Sequence, residues 1–157
     1  MRRKPTQQRP DDLDVATVFT VTVDEQPRTR RFPAGIAIDI GTHDGLTILT
    51  PVLGPASVVV LRLITAQPGR TWHIADVAGQ LGLAVRWTRN ALVRLEAFGW
   101  LQETAPADET SPAEYHVFRS SPLSINQTQR LHPEVAARYA RLSGLAGSTA
   151  PSEHLPA

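Results

Sequence analysis

Apolar residues along this chain follow a strand-like period at first and a helical one later. Residues 14–23, DVATVFTVTV, alternate and are rich in β-branched side chains, which predicts a strand. Val15, Thr17, Phe19, Val21 and Val23 share its apolar face. A turn follows at 24–27. A second strand is expected over 29–40, interrupted near Pro33-Ala34-Gly35, then a loop over GTHDG (41–45) and a short third strand over 46–50. Gly54-Pro55 opens ASVVVLRLIT, which is apolar nearly all round and is closed by Pro68-Gly69. Those brackets predict a buried central helix, although three consecutive valines also suit a buried strand.

The stretch 71–101, TWHIADVAGQLGLAVRWTRNALVRLEAFGWL, carries the clearest pattern. Ile74, Val77, Ala78 and Leu81 fall at i, i+3, i+4 and i+7, one buried helical face, with Thr71 or a neighbour as cap and Asp76 in the first turn. Gly82 stops this helix, because glycine accepts the left-handed conformation there, and Leu83 anchors the turn. A second helix runs from about 86 to 98. Thr88, Ala91, Leu92 and Leu95 form its inner stripe, leaving Trp87, Arg89, Asn90, Val93 and Arg94 on its other faces. Gly99 ends it. A strand begins at 100–102, and its return partner is 115–119. After Pro122, Ser124-Ile-Asn-Gln127 matches a capping box. A last helix, restarted by His132-Pro133, bears an apolar stripe of Val135, Tyr139 and Leu142.

The organisation expected is therefore α+β. A basic arm covers 1–12, a β-element 13–51, a helix-turn-helix with a wing 52–120, one or two helices 121–143, and a loose Gly/Ser/Ala/Pro tail 144–157. Trp72 and Trp100, at element ends, are expected in the core.

Composition adds to this picture mainly through charge. The net charge of the 157 residues is only +1, low for a protein relying on phosphate attraction alone. The distribution is uneven. Residues 62–101 carry Arg62, Arg70, Arg86, Arg89 and Arg94 against Asp76 and Glu96, whereas 102–116 carry Glu103, Asp108, Glu109 and Glu114 with no Lys or Arg. Lys4 is the single lysine; Arg suits base edges and phosphates better, though coding bias in a GC-rich genome is the better explanation of the preference. The absence of cysteine excludes disulfides and thiolate metal sites, no apolar run is long enough to span a membrane, and no apolar segment follows the basic start. A cytoplasmic protein is expected.

The succession of helix, helix-turn-helix, strand pair and trailing helix resembles the winged-helix DNA-binding superfamily of bacterial regulators. Ala75, Val77, Ala78, Leu81, Gly82 and Leu83 carry the first half of the resemblance; Ala91, Leu92, Leu95, Gly99, Trp100 and Leu101 carry the second. The resemblance implies a recognition helix whose start enters the major groove. The matching positions are Arg86, Trp87, Thr88, Arg89 and Asn90. Arg can bond guanine and Asn adenine through two hydrogen bonds each. Arg94, one turn on, and Arg70 would hold phosphates. The acidic wing loop departs from the basic wing tips frequent in the superfamily.

Other chemistry is thin. His43-Asp44 in GTHDG fits turn geometry better than a metal site. DIGT (39–42) resembles a phosphate loop of actin-like ATPases, without that fold's partner motifs. There is no Walker loop, dinucleotide fingerprint or nucleophile–His–acid set. The expectation is a non-enzymatic binder of double-stranded DNA with no cofactor and no membrane partner. It would dimerise through the C-terminal helix or the N-terminal strands. The alternative is a winged-helix module that contacts a protein partner.

Overall fold

The computed structural model describes residues 17–24 and 36–147. The basic arm, most of the second expected strand and the end of the tail lie outside the described residues. The elements run in the order β1 (Val18–Asp24), β2 (Ile38–Asp39), α1 (His43–Leu53), α2 (Pro55–Thr65), β3 (Thr71–His73), α3 (Ile74–Leu81), α4 (Val85–Ala97), β4 (Leu101–Ala105), β5 (Ala113–Phe118), β6 (Ser120–Ser121), α5 (Ile125–Gln129) and α6 (Pro133–Gly147). The fold is α+β, and α2 through β5 follow the winged-helix order: helix, short strand, helix, turn, helix, two-stranded wing.

The first strand lies as its alternation predicts, with Phe19 and Val21 buried and Val18 and Thr22 outward. Its place in the sheet is unusual for an added element. The main sheet has the order β3-β1-β5-β4, so β1 is interior. It pairs antiparallel with β3 (Phe19 opposite Trp72) and parallel with β5, from Phe19 opposite Ala113 to Asp24 opposite Phe118. His116 Nδ1 lies 2.7 Å from the Asp24 carboxylate, tying the end of β1 to its parallel neighbour. A separate two-stranded pair joins β2 to β6.

The expected third strand at 46–50 is instead the middle of helix α1. Ile48, Leu49, Val52 and Leu53 are buried, a helical i, i+1, i+4, i+5 face. Thr42 caps the helix by accepting from Gly45 N at 2.9 Å. Pro51 gives up one ladder donor in the last turn, and the helix closes at Gly54, whose φ is 86°. The GTHDG stretch is thus a cap and first helical turn rather than a hairpin loop. The second strand expected over 29–40 is described only from residue 36, where it shrinks to Ile38–Asp39.

Helix α2 forms between Gly54-Pro55 and Gly69 as predicted, and buries Val58, Val60, Leu61 and Ile64. The cap of α3 is His73, whose Nδ1 accepts from Ala75 N at 3.1 Å; Thr71 belongs to β3. Gly82 takes the left-handed conformation, φ 65°, and ends α3. Trp72 and Trp100 are both buried. The Ser124–Gln127 capping box is formed in full. Helix α6 continues through the expected start of the tail, to Gly147.

One core takes side chains from every layer, from Phe19 through Leu61, Trp72, Leu92 and Tyr115 to Tyr139. Both surfaces expected to dimerise contribute to the fold. Strand β1 is interior to its sheet. Tyr139 is buried, donates to Ile36 O at 3.2 Å and accepts from Leu123 N, while Val135 and Leu142 pack on the same core. Among the described residues, no helix is long and apolar enough to cross a membrane, and no group of three His, Asp or Glu could hold a metal ion. Asp44 instead pairs with Arg138 Nε at 3.2 Å.

Candidate nucleic-acid interface

Helix α4 sits against α2 and α3 through Thr88, Ala91, Leu92 and Leu95, all buried, as the periodicity requires. At 3.6 residues per turn, the positions four apart, Arg86 and Asn90, lie within about 40° of each other on the side opposite that stripe. Both are exposed. The helix begins at Ala84 with no side-chain cap, so its first amides keep their donors toward the outside.

The seven predicted contact residues do not stay together. Arg86, Trp87 and Asn90 are exposed, Trp87 to 61%. Thr88 is excluded from any contact. It is fully buried, and its hydroxyl returns to Ala84 O at 3.3 Å. Arg89 is half-buried, and its Nε has no hydrogen-bond partner. Arg94 is exposed but directed sideways: it donates to Val52 O at 3.3 Å and lies over the Phe98 ring at 5.4 Å. Arg70 belongs to the β3 end of the sheet. There its guanidinium stacks 3.9 Å from the Trp72 ring centroid and donates to Gln67 at 2.5 Å. Arg70 therefore packs over a buried tryptophan.

The two flanks of α4 differ in character. On one, Trp87, Arg94 and Phe98 line up at intervals of seven and four residues. Trp87 and Arg94 face the corner where α1 passes into α2, across an apolar groove that includes Leu53, Pro55 and Ala56 and that Asn90 also lines. On the other, Glu96 stands near Glu103 of β4, whose carboxylate accepts from the Tyr115 hydroxyl at 3.2 Å. Partial burial, and secondarily the Glu103 charge, push the Glu96 carboxyl above the ordinary glutamate range.

The wing loop is ordered by its own chemistry. Asp108 accepts from Thr110 N, the Thr110 hydroxyl and Ser111 N at 2.8, 2.9 and 2.7 Å. These bonds, the Thr110 amide first, hold its carboxyl below the usual range despite full exposure. The acid at the tip is thus used in building the turn. The wing still presents Glu103, Glu109 and Glu114 to solvent.

No protein-family model matches the sequence, and no curated protein matches it. Among solved structures, the chain is similar to the primosome protein DnaB (residues 1–300) of Geobacillus stearothermophilus. The TM-score is 0.50 and the identity 17%, over 85% of this chain and 52% of that one. The chain therefore spans about half the length of that structure, and the likeness is one of fold. A Methanosarcina mazei Go1 protein described as a possible transcriptional regulator aligns over 71% of this chain and 94% of its own, at 16% identity and a TM-score of 0.38.

Proposed function

We propose that this protein is a non-enzymatic, sequence-specific binder of duplex DNA and acts in transcriptional regulation. The observation that carries this reading is the outward face of α4. Arg86 and Asn90 stand side by side there, exposed, on the second helix of a helix-turn-helix. Neither has a carboxylate in ion-pair range among the described residues. These two side chains suit direct readout, Arg to guanine O6 and N7 and Asn to adenine N6 and N7. Each good pair discriminates by about 1–3 kcal/mol. The uncapped start of α4 suits a phosphate. Trp87 suits a thymine methyl or a sugar, and Arg89 a more lateral contact.

The test is selection from random-sequence duplexes across a salt series, with the wild type beside Arg86→Ala/Asn90→Ala. The expected result is salt-sensitive binding with enriched sequences that the double variant loses. Failure of the folded wild type to bind at low salt would sink the reading. A second reading, a winged-helix module docking on another protein, is supported by the exposed Trp87 beside an apolar groove and by the acid-lined wing. Binding unaffected by the Arg86/Asn90 change but lost in Trp87→Ala would favour it.

A further inference from the structure

A cleft of about 390 Å³ opens where the end of α1, the C-terminal half of α4 and α5 meet. Its apolar floor includes Val52, Phe98 and Leu131, and its polar rim includes Arg94, Arg130 and Asn126. Among the described residues, no carboxylate lies within ion-pair distance of Arg94 or Arg130. This contrasts with Arg119 and Arg138, which pair with Asp39 and Asp44. Arg94 is also preorganised. The Val52 carbonyl and the Phe98 ring hold its guanidinium at the mouth, where the cleft continues into the groove beside α4. Two unpaired guanidiniums with an amide between apolar walls form a site for a phosphate oxyanion, which Arg binds through its planar fork of donors.

We propose that this cleft clamps a backbone phosphate of the bound duplex, with Arg130 and Asn126 of the C-terminal extension joining Arg94. The inference rests on the DNA reading above and extends it beyond the helix-turn-helix. With Arg86 and Asn90 toward the bases, each flank of α4 faces one of the two strands that border the major groove, and the flank bearing Arg94 and Phe98 meets one of them. The opposite flank carries Arg89 but also Glu96, near Glu103, so its charge toward phosphates is mixed. The strand held through α5 is therefore the one on the Arg94 side of α4.

The test uses the full chain and its selected duplex. Each phosphate neutralised contributes about 0.9 to the slope of log affinity against log salt. Arg130→Ala is expected to lower that slope by about 0.9 while leaving the preferred sequence unchanged. Arg130→Lys should keep most of the slope, and Arg141→Ala, at a residue that lines a different pocket between α1 and α6, all of it. A wild-type slope in Arg130→Ala overturns the clamp while leaving DNA binding intact. Absence of wild-type binding overturns the DNA reading, and the clamp with it, before any variant is made. A third arm titrates inorganic phosphate at constant ionic strength, watching the Arg94 and Arg130 Nε–H signals by NMR. No saturation in the low millimolar range is expected. Saturation there together with a wild-type salt slope in Arg130→Ala would assign the cleft to a free anion and overturn the clamp.

Discussion

Gly45 is the residue on which the start of α1 depends. A methyl group at its Cα would stand 2.0 Å from the Asp39 carbonyl oxygen, a backbone atom that cannot step aside. Gly45→Ala should therefore destabilise the fold by about 1–3 kcal/mol, the usual range for forced overpacking. Urea denaturation measures this directly, and a midpoint equal to the wild type would refute it. Two close neighbours on α4 make the opposite pair. Leu92 is fully buried, so Leu92→Ala should cost about 2–5 kcal/mol. Trp87 is mostly in solvent, so Trp87→Ala should stay within about 0.5 kcal/mol of the wild type. If Trp87→Ala proved as costly as Leu92→Ala in the same denaturation series, Trp87 would be a packing residue and not a contact residue.

Elements differ in how plainly the sequence declares them. Helices α3 and α4 were legible because four inner positions repeat at helical spacing, and because Gly82 and Gly99 mark their ends by taking positive φ. Helix α1 was hidden by local chemistry. LTILT is short and β-branched, Pro51 looks like a break, and the buried face emerges only when Val52 and Leu53 are read together with Ile48 and Leu49. Strand β3 is only three residues long and exists because Trp72 meets Phe19, a pairing no local pattern carries. Of the candidate site, the outward α4 residues could be read from period alone. The sideways set of Arg94 and the stacking of Arg70 on Trp72 depend on tertiary neighbours. The placement of Arg130 beside the same cleft as Arg94 had no local signal at all.

Glu96 gives a prediction at the same scale. A carboxyl whose pKa is raised on folding binds more protons in the native state. Its ionisation thus costs stability as pH rises through the raised value, and costs nothing below the ordinary glutamate range. Glu96→Gln should therefore stabilise α4 slightly at neutral pH. The gain should shrink to nothing on acidification, as read from melting temperatures at a series of pH values. A gain that persisted unchanged in acid would mean packing, not charge, is responsible.

At the scale of the molecule, β1 makes the winged helix and the segment before it one cooperative object. It supplies Phe19 and Val21 to the common core and separates β3 from β5. Removing residues 1–24 should open two strand edges at once and leave a chain without a sharp thermal transition, prone to edge-to-edge association. Circular dichroism melts and light scattering would check this. A cooperative melt near the wild-type temperature, in a monomeric sample, would show the remainder to be self-sufficient.

The parallel pairing of β1 with β5 also has a consequence in time. Phe19 leaves the ribosome long before Ala113, its partner across the sheet. Loop closure over that separation is costly, and non-local pairing slows folding. The helices between them can form from neighbours in sequence, so they should assemble first, around an empty slot in the sheet. Strand β1, synthesised well before β5, is then among the last to be placed. Until β5 emerges, its alternating apolar face is the part of the nascent chain most in need of a chaperone.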